Sequence, residues 1–117
     1  GALDGARVLN AETVASMGRN HIGAVSVPAL KSALPRSADF TFIDDNKDKW
    51  GLGFLITTNQ VPGKRSPGSL SWGGINNTYF WIDPAEELIG IFMTQLMPSG
   101  SYPLRPQLQT LVYAALN

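Results

Sequence analysis

The sequence predicts an α+β domain, with three antiparallel strands and a C-terminal helix packed on the sheet. Three observations carry that prediction. Aromatic and β-branched residues crowd three runs, at 50–58, 69–82 and 88–96. Turn-forming residues separate the runs, most clearly Asp83-Pro84-Ala85-Glu86-Glu87. The last segment, 103–117, then changes to helical spacing, with Leu104, Leu108, Leu111, Val112 and Ala115 on one stripe.

In chain order, Gly1-Ala2-Leu3-Asp4-Gly5-Ala6-Arg7 reads as a loop leaving something upstream, as in a piece of a longer chain. A short helix follows. Asn10 can cap it, Glu12 sits in its first turn, and Leu9 and Val14 have the spacing of a hydrophobic staple. Met17 continues its apolar stripe and Gly18 is its stop. Residues 19–49 show no sustained period and are broken by Pro28 and Pro35. A stretch of this length reads as a functional or covering loop. Within it Phe40-Thr41-Phe42-Ile43 is expected to add a brief strand, and Asp44-Asp45-Asn46-Lys47-Asp48-Lys49 a charged surface turn.

In the first main strand Trp50, Leu52, Phe54 and Ile56 share a face, while Gly51 and Gly53 leave a bare patch for a neighbouring element. Residues 59–67, with two prolines, Gly63 and Lys64-Arg65, read as a solvated loop. The third strand has apolar residues on both faces and is expected to be covered on both. Pro103 and Pro106 are tolerated because they fall in the first turn of the last helix.

Nine basic residues balance nine acidic ones, so no charge excess draws the chain to nucleic acid or an acidic membrane. With no cysteine, thiolate chemistry and disulfides are excluded and the compartment stays open. No apolar run approaches the roughly 20 residues that span a bilayer, and neither end resembles a signal peptide. No cofactor motif is present. Asp44, Asn46 and Asp48 imitate the start of a calcium loop, but Lys49 stands at the required glycine and Leu55 at the required glutamate. No metal site is therefore expected.

Nucleophilic catalysis lacks its parts. His21 is the only histidine, and no serine sits in a Gly-x-Ser-x-Gly elbow. No serine is followed by lysine at the third position, and no tyrosine by asparagine at the second. The richest segment is instead Ser71-Trp72-Gly73-Gly74, where two bare positions let a backbone approach a ligand. Tyr79 and Trp81, on one strand face, read as core under a helix; with Trp72 they could alternatively form an aromatic platform for sugars or acyl groups.

Ser-Trp-Gly-Gly-x-x-x-Thr-Tyr-Phe-Trp-Ile-Asp-Pro, followed by Glu-Leu-Ile-Gly-Ile-Phe-Met-Thr-Gln, resembles the C-terminal part of the serine β-lactamase and penicillin-binding-protein superfamily. It is most similar to class C β-lactamase-like hydrolases and family VIII carboxylesterases. Gly5-Ala6-Arg7-Val8-Leu9-Asn10-Ala11-Glu12-Thr13-Val14-Ala15-Ser16-Met17 and Trp50-Gly51-Leu52-Gly53-Phe54 extend the likeness over nearly the whole chain. The resemblance implies the C-terminal part of a β-lactamase/transpeptidase-like fold, with 1–49 a helix plus long loop and 50–117 the sheet and last helix. It implies a serine acyl-enzyme acting on small-molecule esters, without cofactor. Of that family's three motifs only the third maps here: Trp72, Gly73 and Gly74 stand where Lys-Thr-Gly or a variant lies, lining the substrate cleft. Tryptophan in place of lysine favours esters over β-lactams. Ile75, next in sequence, would offer its backbone N–H as half of the oxyanion hole. The serine, lysine and tyrosine are absent, so no catalytic residue is expected in this chain. The missing N-terminal half, or self-association as a non-catalytic module, is the expected partner.

Overall fold

The computed structural model describes residues 1–35, 37–40, 47–98 and 101–116. It contains a two-stranded hairpin, β1 (Ala2–Leu3) and β2 (Ala6–Arg7), then helix α1 (Ala11–Met17). A five-stranded antiparallel sheet follows in sequence order: β3 (Lys49–Trp50), β4 (Leu55–Ile56), β5 (Leu70–Gly73), β6 (Tyr79–Asp83) and β7 (Leu88–Phe92). Helix α2 (Leu104–Ala115) closes the chain. The α+β class, the antiparallel sheet and the C-terminal helix agree with the sequence, but five strands stand in place of three.

The extra strands come from turns inside runs that read as continuous. Between β3 and β4, Gly53 takes φ +90° and Gly51 N–H bonds to Phe54 O at 2.8 Å, so 50–58 is a hairpin. Leu52, expected on the apolar face, is exposed at its tip. The run 69–82 divides likewise, with Asn77 at φ +63° in the turn before β6. The opening residues are also ordered, because Asp4 and Gly5 make a positive-φ hairpin turn between β1 and β2.

Helix α1 forms as expected: Asn10 Oδ1 accepts the Thr13 N–H at 2.7 Å. Its C-terminal end docks on the β3–β4 hairpin, where Leu52 N–H bonds to Met17 O at 3.0 Å. A Cβ on Gly51 would stand 2.1 Å from that carbonyl, so the bare patch there admits α1. Farther on, Lys49 Nζ donates to Val25 O at 2.8 Å, and Leu30 and Phe40 form a two-way bridge. The long loop thus runs along β3 and returns at Phe40. Thr41, Phe42, Ile43, Asp44, Asp45 and Asn46, and with them most of the expected brief strand and calcium-like loop, lie outside the described residues.

The core lies between the sheet and α2. Tyr79, Trp81 and Tyr113 are buried together, with Leu88, Phe92, Leu108 and Val112 packed around them. Trp81 lies across Gly90 on the neighbouring strand; a Cβ there would meet its ring at 2.2 Å. Burial of Tyr79 and Trp81 agrees with the core reading and removes them from any aromatic platform. Helix α2 is rotated relative to the expected stripe. Gln109 and Tyr113 face the sheet, while Leu111 is 69% exposed. A hydrophobic count misses this because the Tyr113 hydroxyl is buried to bond Asp83 Oδ2 at 2.7 Å.

Two further expectations change. Arg65 does not belong to a solvated loop: it is buried and donates to the hydroxyls of Thr57 and Tyr79. Lys64 donates to Pro106 O at 2.8 Å and Thr110 Oγ1 at 2.6 Å, which ties that loop to α2. The third strand is covered on one face only. Leu88 and Phe92 lie toward α2, whereas Ile89 (66%) and Ile91 (69%) open to solvent, as does Met93 just beyond β7.

Candidate active site

The end of β5, the turn into β6, Asp39 and Phe40, and the start of α2 enclose a cavity of about 280 Å³. Its walls include Gly73, Gly74, Thr78, Tyr79, Phe40 and Arg105. The turn is held from two sides. Gly74 N–H bonds to Thr78 O at 2.8 Å across the hairpin. Thr94, just past β7, donates its hydroxyl to Asn76 O at 2.9 Å and Asn77 O at 3.0 Å. A Cβ on Gly74 would stand 2.4 Å from Thr78 Oγ1, and one on Gly73 3.0 Å from Thr78 O. A side chain at either glycine would therefore force Thr78 to shift, more so at Gly74, and both glycines also border the cavity.

Of the residues singled out in sequence, Gly73 and Gly74 line the cavity directly. Trp72 backs it: its ring meets Trp50 edge-on at 4.6 Å and Phe40 at 5.7 Å, and Phe40 forms the wall. Ile75 stands in the adjoining turn, half exposed and outside the lining. His21 lies elsewhere, at the end of α1, where Nε2–H donates to Ser16 O at 2.8 Å. Ser69 and Ser71 are wholly buried, so neither hydroxyl can meet a substrate. Among the described residues no group of three or more His, Cys, Asp or Glu could hold a metal, and no helix is long and apolar enough to cross a membrane.

The electrostatics are unequal across the cavity. Asp39 is paired with Lys31 at 2.6 Å and accepts the Ser32 N–H at 3.0 Å, and the Lys31 hydrogen bond lowers its pKa first. Arg105 lies over the rings of Phe40 (4.6 Å) and Tyr79 (5.0 Å). Burial lowers its pKa, with a further contribution from the charge of Arg65. Behind Tyr79, Asp83 accepts from Ser66 N–H (2.8 Å) and Tyr113.

A family model described as Beta-lactamase matches residues 2–114. The chain belongs to the β-lactamase family. The acyltransferase CalJ of Penicillium decumbens is 35% identical over 60 residues, which are 50% of this chain and 14% of that protein. Among solved structures, the LovD9 variant of simvastatin synthase (LovD) from Aspergillus terreus superposes with a TM-score of 0.53 at 28% identity. That match covers 60% of this chain and 18% of the other, so the chain spans a small part of both relatives. Membership in the β-lactamase family, with these two likenesses, gives it a serine hydrolase/acyltransferase-like fold.

Sequence reasoning missed three residues that line this cavity or fasten its turn. Thr94 had one visible signal, a hydroxyl ending the apolar run 88–93. Phe40 and Arg105 had none, because only the tertiary fold brings residue 40 and the start of α2 to the β5–β6 turn.

Proposed function

We propose that this chain forms one wall of a serine acyl-enzyme cleft acting on small-molecule carboxylic esters, and that it is inactive alone. The observation that carries the reading is the bare edge of Gly73 and Gly74 on the cavity, in a chain of the β-lactamase family. A serine hydroxyl from outside these 117 residues would attack the ester carbonyl. The proton passes to a base on that same outside portion, the alcohol leaves with a proton, and water then releases the acid. This chain's share is the Ile75 N–H, donated to the carbonyl oxygen as negative charge develops, and the substrate-facing edge of Gly73 and Gly74, with Trp72 behind it. The name of CalJ, an acyltransferase, supports acyl chemistry.

The test uses p-nitrophenyl butyrate and a serine-directed fluorophosphonate. The chain alone is expected to give no turnover above background, and the label to fall on a co-purifying companion polypeptide. A fluorophosphonate adduct on any serine of residues 1–117, or turnover at constant specific activity through purification, overturns the reading.

The open sheet face favours a second reading, a non-catalytic module that self-associates or binds a partner. Exposed Ile89, Ile91 and Met93 form an uncovered apolar row at and beyond edge strand β7. Light scattering after size exclusion is expected to return a mass above that of one chain. A clean monomer across a tenfold concentration range counts against it.

A further inference from the structure

We infer that β7 pairs with β7 of a second copy of this chain, antiparallel about Gly90, so that two sheets join edge to edge. This names the contact for the self-association reading above and rests on it. The two edges of the sheet are built differently. β3 is two residues long and carries Lys49, and both features discourage a further strand. β7 is five residues long, pairs with β6 in unbroken register, and holds no charge, proline or bulge. It is the edge left open to another strand.

The ladder fixes which backbone groups of β7 point outward. Gly74 N–H bonds to Thr78 O, and bonding pairs alternate along β5 and β6 from that rung. Phe80 and Ile82 therefore spend their N–H and C=O groups on β5, while Tyr79, Trp81 and Asp83 turn theirs to β7. Leu88, Gly90 and Phe92 receive them, which leaves the N–H and C=O of Ile89 and Ile91 directed away from the sheet. Those two residues also carry the exposed apolar side chains. The strand is its own complement. Leu88-Ile89-Gly90-Ile91-Phe92 has the same pattern in both directions, so a two-fold axis at Gly90 sets Ile89 against Ile91 of the second copy on each side. Each of those rungs is a bonding pair that exchanges both N–H···O bonds. The axis also sends Glu86 and Glu87 of the two copies to opposite ends of the joint, so no acid faces an acid. β5, whose glycines border the cavity, lies two strands in from this edge, and the joint leaves it uncovered.

Analytical ultracentrifugation of the intact chain is expected to show the average mass rising from one chain toward two with concentration. Ile91→Lys sets a charge against apolar Ile89 of the second copy and should hold the mass at one chain, with far-UV circular dichroism unchanged. Oxidative cross-linking tests the register, because the chain has no cysteine of its own. Bonding partners lie about 5.5 Å apart at Cα, within disulfide reach, whereas like positions across the axis lie beyond it. A mixture of Ile89→Cys and Ile91→Cys chains should therefore cross-link at least about tenfold faster than either variant alone. A single-chain mass at every concentration overturns both this joint and the self-association reading. Self-association that survives in Ile91→Lys, or cross-linking no faster in the mixture, overturns the joint alone. So does a companion polypeptide that takes the edge in place of a second copy, seen as a mixed complex lost in Ile91→Lys.

Discussion

Trp81→Ala is expected to lower the unfolding free energy by about 3–5 kcal/mol, the cost of emptying a fully enclosed aromatic site. Trp81 is 1% exposed and forms the centre of the cluster with Tyr79 and Tyr113. It stacks near Tyr79 at 6.0 Å and covers Gly90, a surface shaped to its ring. At β7 the other face of the sheet is exposed through Ile89 and Ile91, so little there can make up the loss. Domains of this size have only about 5–15 kcal/mol in total. The variant should therefore be largely unfolded at 37 °C, and urea denaturation followed by far-UV circular dichroism measures it. A midpoint within experimental error of the wild type would show that the cluster does not hold the sheet to α2.

The second large effect belongs to Asp83. Asp83→Ala is expected to cost about 2–6 kcal/mol, from two stranded donors at about 1–3 kcal/mol each. Those donors are the Tyr113 hydroxyl at 2.7 Å and the Ser66 N–H at 2.8 Å. The same network fixes the pH dependence. Burial opposes the Asp83 charge, but the Ser66, Tyr113 and Glu86 hydrogen bonds outweigh it and hold the carboxyl below its ordinary range. The folded state then takes up a proton less readily than the unfolded chain. Its contribution is present above the unfolded value of about 4 and is lost as pH falls through the lower folded value. Tyr113 is shifted upward, by burial first and then by Asp83. Above about pH 10 the unfolded chain ionises first, and stability falls again. Urea midpoints across pH should form a plateau with a drop at each end. Tyr113→Phe should flatten the alkaline drop, and an unchanged alkaline limb in that variant would refute the account.

Much of this was legible in the chain because it depends on local chemistry. Asn10 caps α1 through a contact three residues away, and Asp83 organises its own turn through the N–H groups of Ala85 and Glu86. The Trp72-Gly73-Gly74 stretch pointed to the cavity for the same reason, since paired glycines leave the backbone bare wherever they stand. What was missed depends on partners distant in sequence. Arg65 looks like a surface residue until Thr57 and Tyr79 supply its acceptors, and Arg105 until Phe40 and Tyr79 lie beneath it. The strand count failed where glycine and asparagine turns fell inside apolar runs. There the side-chain pattern continues while the backbone reverses, as at Gly53 and Asn77.

The order of the five strands along the sheet is their order along the chain. Each pairing closes only the short stretch between sequence neighbours, which keeps the entropy of loop closure low and the mean separation of contacts small. A meander of this kind can zip from one end to the other without waiting for a distant segment. The β5–β6 turn that borders the cavity is one of its inner joints, fastened by Thr94 as the strand beyond it is laid down. That turn is consequently held by contacts between sequence neighbours, independent of residue 40 and of α2.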